Sequence, residues 1–364
     1  MLQQGFRMCR ALAGRRSCKA AGLWPTSVPP RSAGPRRPSP QRCWSRAISV
    51  ATQAAAASIP PAPEAAAPGE AASSSSSSSP TSAAAPPANI YGRPELYDVA
   101  FSYRDFKAEV RFLQDVQKAH GASPQLGSVL ELGCGTARHL ATLAKAGVPK
   151  LVGLDASPDM LAYARSNVAK AGGKAQQSVE LLEGDMAEFD LASRAPFDMI
   201  VCLLGTFSHL LDTRQAISCF RAVSRHLAPG GLFVLELAHP GDLFDGTLIT
   251  GESGKEVWER PFGDGDKVFV EWGDSLDNFD PVTQIVYRTV TISVFRGEEV
   301  VDAVDEVIAQ RQYTVRELEL LAGMTGFETR ALYGEMRMGV DLEHEDAYRM
   351  VAVYKKVQAA SLFD

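Results

Sequence analysis

Two hydrophobic periods divide the chain. Between Ser128 and Leu237 short apolar runs alternate with stretches whose apolar residues recur at helical spacing. The runs predict strands at 128–132, 150–154, 178–182, 198–203 and 231–237, and the intervening stretches predict helices at 136–146, 158–171 and 213–227. Ser157 before Pro158 and Asp159 marks a helix start, and Pro229-Gly230-Gly231 ends the last helix and turns into a strand. Strands separated by helices are the pattern of a parallel sheet covered on both faces. From 240 to 313 the period drops to two: VFVEW, IVYRTVTISVF and VVDAVDEVIA read as an antiparallel meander, inserted before a helix from Thr314 to Met324. GFETRALYGEM and DAYRMVAVYKK close the chain as two strands joined by Gly339 to Glu345. Upstream, Phe106, Val110, Leu113 and Val116 form one helical face, preceded by a dense group of aromatics at Tyr91, Tyr97, Phe101 and Tyr103.

The strand-turn-helix junction VLELGCGTARHL, Val129 to Leu140, carries candidate chemistry. Glycines at 133 and 135 let backbone N–H groups approach a ligand at a helix N-terminus. Asp155 ends the next apolar strand 22 positions after Gly133, the spacing of a ribose-hydroxyl acceptor. The dinucleotide fingerprint GxGxxG fits poorly, because its third glycine position is Arg138. His209 and His239 follow the fourth and fifth strands, at the carboxyl ends where open α/β sheets bind ligands, and are candidate bases. Tyr97 or Tyr103 could take the same role.

Composition separates the first quarter from the rest. Residues 1–50 hold nine Arg and one Lys with no acid, the first being Glu64, which reads as an organellar transit peptide. One helical face of Leu2, Phe6, Cys9, Leu12 and Ala13 suits a mitochondrial presequence, and scattered serines keep a chloroplast open. Residues 51–88 are Ala, Pro and Ser, with seven serines from Ser73 to Ser79, and read as a disordered linker. The folded domain is expected over 89–364. Of 37 Lys and Arg, ten precede residue 51, leaving 27 against 43 acids, a formal −16 that opposes binding to a nucleic-acid backbone. No apolar stretch reaches the ~20 residues of a membrane span. Cys134, Cys202 and Cys219 lack CxxC spacing and read as reduced core thiols, not a metal site.

The glycine turn resembles motif I of the class I S-adenosylmethionine (SAM) methyltransferases, usually GxGxG, with Ala137 in the last place. LEGDMAEF, FDMIVCLLGTFSHL and LAPGGLFVLEL stand in order where that family has its later motifs. The resemblance covers residues 95 to 357 and implies an α/β, doubly wound, mostly parallel seven-stranded sheet with an antiparallel β insertion over 240–313. It implies SAM as cofactor, with Glu131, Gly133 and Gly135 around its amino-acid end, Asp155 on the ribose, and Ala156, Met160, Asp185 and Met186 around adenine. Leu204-Gly205-Thr206, in place of an NPPY-like sequence, argues against nucleic-acid amine and protein glutamine methylation. The amino-sugar and glycine N-methyltransferases carry such an insertion as roof or oligomer contact. A small-molecule acceptor methylated on nitrogen or oxygen, and a homo-oligomer through the insertion, are therefore expected. Trp258 and Trp272 would line the roof, with Tyr97, Tyr103 and Arg104 as lid residues. A non-catalytic assembly protein keeping the SAM fold, and a protein methyltransferase, are the alternatives.

Overall fold

The structure, a computed structural model, describes residues 89–243 and 255–357. The expected leader and linker, and residues 244–254 of the insertion expected over 240–313, lie outside the described residues.

An N-terminal strap comes first, with helices α1 (Pro94–Ala100) and α2 (Phe106–His120). Asp105 caps α2, its carboxylate accepting from the N–H groups of Lys107 and Ala108 at 3.1 and 3.0 Å, an arrangement that contributes about 1 kcal/mol. The α/β alternation follows as β1 (Ser128–Leu132), α3 (Arg138–Lys145), β2 (Lys150–Asp155), α4 (Pro158–Lys170), α5 (Gly173–Ser178), β3 (Val179–Glu183), β4 (Phe197–Cys202), α6 (Thr213–His226) and β5 (Leu227–Ala238). The second period gives β6 (Glu256–Phe262), β7 (Asp266–Trp272), β8 (Asn278–Asp280), β9 (Ile285–Arg296) and β10 (Glu299–Arg311). The chain ends in α7 (Val315–Met324), β11 (Phe327–Tyr333) and β12 (Arg349–Lys356). Helix α5 was not expected, since GKAQQS carries a single buried apolar side chain, Ala175.

The first sheet has seven strands in the order β11-β12-β5-β4-β1-β2-β3, parallel except at β12, which is antiparallel to both neighbours. Every residue of β1 is buried because both faces are covered. Val129 and Val201 pack with α2, α3 and α4 through Val110, Leu140 and Leu161; Leu130 and Cys202 pack with α6 and α7 through Phe220 and Leu318. Full burial of each such side chain is worth about 1.5–3 kcal/mol.

The second sheet runs β10-β9-β7-β6, with β8 on β9, all antiparallel. Its alternation has a consequence for the site. Val268, Val270, Val290, Ile292, Val294, Val304 and Ile308 bury one face against Ile90, Leu96 and Ala100 of the strap, while Val257, Tyr287 and Val307 stand exposed. The strap is also held by polar contacts: Ile90 N–H donates to Glu306 Oε2 at 2.9 Å and the Trp258 indole N–H donates to Ala100 O at 2.8 Å. Helix α1 is thereby suspended from the second sheet and lowered onto the first.

Candidate active site

The turn after β1 is shaped by what cannot fit. Gly133 has φ +62°, and a Cβ there would stand 2.2 Å from Thr206 Cγ2, in the segment after β4. Gly135, at φ +50°, has nothing within 4 Å of where its Cβ would be, so its surroundings stay open. Asp155 holds this turn: Oδ2 accepts from Gly135 N–H at 2.7 Å and Oδ1 from Ser157 N–H at 2.9 Å. Burial raises the Asp155 pKa, partly opposed by those two donors. Each oxygen keeps a second acceptor position suited to a ribose hydroxyl. Asp155 therefore does more than the sequence implied, since it also fixes the loop.

Helix α1 docks on the turn through Asp98, which the sequence did not single out. Its buried carboxylate accepts from Thr136 Oγ1 at 2.9 Å, Arg138 Nε at 2.6 Å and Tyr163 OH at 3.2 Å. Arg138, at the position where the dinucleotide fingerprint has its third glycine, is thus an anchor for the strap.

Behind the turn lies a buried charge cluster. Glu236, on β5, accepts from Arg104 Nη1 and Nη2 at 2.9 and 3.0 Å, from Arg349 Nη1 at 2.5 Å and from Leu204 N–H at 2.9 Å. Burial alone would raise its pKa, but the two guanidinium groups outweigh it and hold it well below the usual carboxylate range. Arg104 is consequently a strut rather than the expected lid residue. His139 bridges Glu109 at 2.8 Å and Glu131 at 3.1 Å. Burial lowers its pKa, yet Glu131 and Glu109 together raise it to about 9, so it is an imidazolium at neutral pH. Three cations, Arg104, Arg349 and His139, thus face four carboxylates, Glu109, Glu131, Glu236 and Glu335. Glu131 Oε2 is buried with no hydrogen-bond partner, and Glu131 lines the cavity with Gly133, Gly135, Tyr97, Phe101 and Phe106. An unpartnered carboxylate oxygen beside an open glycine turn fits the ammonium of SAM, and Asp155 fits its ribose.

The strap crosses the carboxyl edge of the first sheet. Tyr91 O accepts from Ser157 Oγ at 3.2 Å after β2, and Tyr91 OH pairs with His209 Nε2 at 2.8 Å after β4. Burial lowers the His209 pKa, which leaves a neutral imidazole able to take a proton. Tyr97 packs on Tyr91 and Phe101 with ring centroids 5.9 and 4.6 Å away, and burial raises its pKa. Its hydroxyl is not a base near neutral pH.

Two of the four candidate bases have other partners. His239 spends both ring nitrogens on backbone: Nε2–H donates to Leu342 O at 2.9 Å and Nδ1 accepts from Gly241 N–H at 3.0 Å. It ties β5 to the loop before β12 and has no lone pair left for an acceptor proton. Tyr103 is 45% exposed, with its ring against Trp258 and beneath Arg260. Trp258 and Trp272 both meet the edge of Phe101 and so brace α1. Among the adenine candidates, Ala156 and Asp185 are exposed, Asp185 accepting from Ala187 N–H at 2.8 Å. Met186 is half-buried against the core, and Met160, in α4, is fully buried. Sequence periodicity had no means of finding Tyr91, Asp98, Glu109 or His139, whose roles arise from contacts 30 to 118 residues away in the chain.

Residues 129–231 match a family model described as a methyltransferase domain. The chain is 33% identical over 159 residues to dTDP-4-amino-2,3,4,6-tetradeoxy-D-glucose N,N-dimethyltransferase of Saccharopolyspora spinosa, covering 43% of this chain and 59% of that enzyme. It is 26% identical over 241 residues to a putative methyltransferase of Bacillus subtilis, covering 65% and 85%. Its fold is similar to that of the SAM-bound amino pentose methyltransferase from Micromonospora echinaspora, with TM-score 0.56, 23% identity, and coverage of 72% and 97%. The chain thus spans little more than half the length of the first of these relatives. With the sheet order and inserted antiparallel sheet observed here, these matches identify a methyltransferase domain in a chain with the SAM-dependent methyltransferase fold.

Proposed function

We propose that the chain transfers a methyl group from SAM to an amino nitrogen of a small molecule held under the second sheet. The observation that carries this reading is the pair of acids flanking one open glycine turn: Glu131 with a bare oxygen, and Asp155 locked onto Gly135. SAM supplies an activated methyl on a sulfonium, so the chain need provide neither nucleophile nor metal. Its residues orient the acceptor and exclude water, contributions that in general reach ~7–11 kcal/mol of barrier. An ammonium acceptor must also lose a proton. The Tyr91–His209 pair lies at the carboxyl edge of the sheet, and its neutral imidazole accepts that proton directly or through the Tyr91 hydroxyl. The strap and second sheet favour a covered acceptor over a protein side chain. Relatives named as amino-sugar N,N-dimethyltransferases favour nitrogen over oxygen.

Calorimetric titration of the full chain with SAM and with S-adenosylhomocysteine tests the reading. Saturable binding of both is expected; a folded sample that binds neither would move a non-catalytic assembly role to first place. The Arg-rich first 50 residues support import into a chloroplast or mitochondrion, to be checked by localising a fluorescent fusion of that segment. Exposed Val257, Tyr287 and Val307 on the outer face support self-association through the second sheet, to be checked by light scattering.

A further inference from the structure

The cavity at the glycine turn is walled by His139 as well as by Glu131, and the two side chains touch. His139 is only 3% exposed; its Nδ1 lies 3.1 Å from Glu131 Oε1 and its Nε2 lies 2.8 Å from Glu109 Oε2. An ionised carboxylate can only accept hydrogen bonds, so both ring nitrogens must donate and the ring carries two protons. Burial opposes that charge, but Glu131 and Glu109 outweigh it and hold the pKa at about 9.

The charges around this ring come from several elements. Glu131 is supplied by β1 and Glu109 by α2, whose Phe106 ring meets the imidazole with centroids 5.0 Å apart. Beyond Glu109 stand Arg104 and Arg349, both held by Glu236, with Glu335 on the far side of Arg349. Arg138, the neighbour of His139 on α3, is taken up by Asp98 of α1, and Asp155 at the end of β2 is bound to the Gly135 and Ser157 N–H groups. Three cations thus meet four carboxylates, and the cluster is one cation short. The missing contact is at Glu131, whose Oε2 is buried without a partner in the cavity wall.

An ammonium group at Oε2 would place Glu131 between two cations, the ligand on one oxygen and His139 on the other. Like charges on either side of one carboxylate repel strongly in a desolvated site, and burial already works against the imidazolium. The neutral ring keeps one N–H, which the shorter contact assigns to Glu109, and leaves Glu131 to the ligand. We propose that His139 gives up its Nδ1 proton to solvent when Glu131 takes the ammonium of the methyl donor, so that the two cations compete for one carboxylate. His139 is then a positioning residue, acting on the ligand through Glu131. The proposal rests on the SAM reading, and the two are separable by experiment.

Nitrogen NMR of the full chain labelled in histidine, with His139→Gln to assign the signals, reads the protonation of each ring nitrogen. In the free chain both nitrogens of His139 should be protonated at neutral pH. S-adenosylhomocysteine, which has the amino-acid end, should lower the titration midpoint of this ring by at least ~1 pH unit, and 5′-methylthioadenosine, which lacks that end, should leave it in place. Calorimetry of wild type at about pH 8, in phosphate and in Tris, should show net proton release with S-adenosylhomocysteine and none with 5′-methylthioadenosine. His139→Gln should lose that release; comparing the two chains cancels the titration of the ligand's own amine. An unmoved or raised midpoint in a chain that binds S-adenosylhomocysteine, a midpoint lowered equally by both nucleosides, a neutral His139 in the free chain, or equal proton release in wild type and variant would overturn the proposal and leave the SAM reading standing. A folded chain that binds neither nucleoside would overturn both.

Discussion

The two sheets both hold the strap that lines the cavity at the glycine turn, but they are specified by different forces. The first is buried on both faces, and its contribution to the site is a backbone turn braced by a buried charge cluster. The second is amphipathic, and it shapes the cleft through the aliphatic and aromatic side chains that suspend the strap. A backbone-built site tolerates little change at its glycines and buried ions. A side-chain-built roof can be altered residue by residue with the fold retained.

The sharpest way to break this contrast is Glu236→Gln. It leaves Arg104 and Arg349 buried with a partner that has lost its charge, and should cost about 3–5 kcal/mol by urea unfolding. Gly133→Ala comes next: the clash with Thr206 and the positive φ should cost about 2–4 kcal/mol and abolish SAM binding in calorimetry. His209→Asn should reduce methyl-transfer kcat about a hundredfold with SAM affinity kept, whereas His239→Asn should alter stability by about 1 kcal/mol and leave kcat nearly unchanged. Equal loss of kcat in both variants would exclude His209 as the specific proton acceptor.

The charge cluster also predicts a pH dependence. His139 has a folded pKa raised from 6.5 to about 9, so its contribution to stability is fully present below 6.5 and disappears as pH rises through 9. The urea midpoint should fall across that window in wild type and flatten in His139→Gln. The smallest effect belongs to the roof: Trp258→Phe removes the hydrogen bond to Ala100 O and should cost about 1 kcal/mol, with SAM affinity within a factor of a few.

Much of the fold was legible because its signals are local. Apolar runs marked β1, β2 and β4 to within a residue or two, and period-two alternation marked the second sheet. Ser157 and Pro158 announced the start of α4, where the serine hydroxyl does accept from Met160 N–H. The glycine turn and the carboxylate that holds it were legible for the same reason, since Gly133, Gly135 and Asp155 lie at fixed offsets along one strand-turn-helix-strand path. The surroundings of the two candidate histidines were not. His209 and His239 look alike in sequence, each just past a strand, and only their partners separate them: a tyrosine hydroxyl from the strap for one, two backbone groups for the other. Arg104, read as a lid residue beside aromatics, became a strut because Glu236 waited 132 positions away.

By itself the sequence determined the strand and helix order, the glycine turn with its two acids, and the point at which a parallel sheet gives way to an antiparallel one. Each follows from steric and hydrophobic periods that act over a few residues. Tertiary structure alone decided which histidine meets a tyrosine hydroxyl and how three cations and four carboxylates share their partners. Those outcomes depend on desolvation and on distances between residues far apart in the chain, and neither quantity exists until the two sheets have closed over the strap.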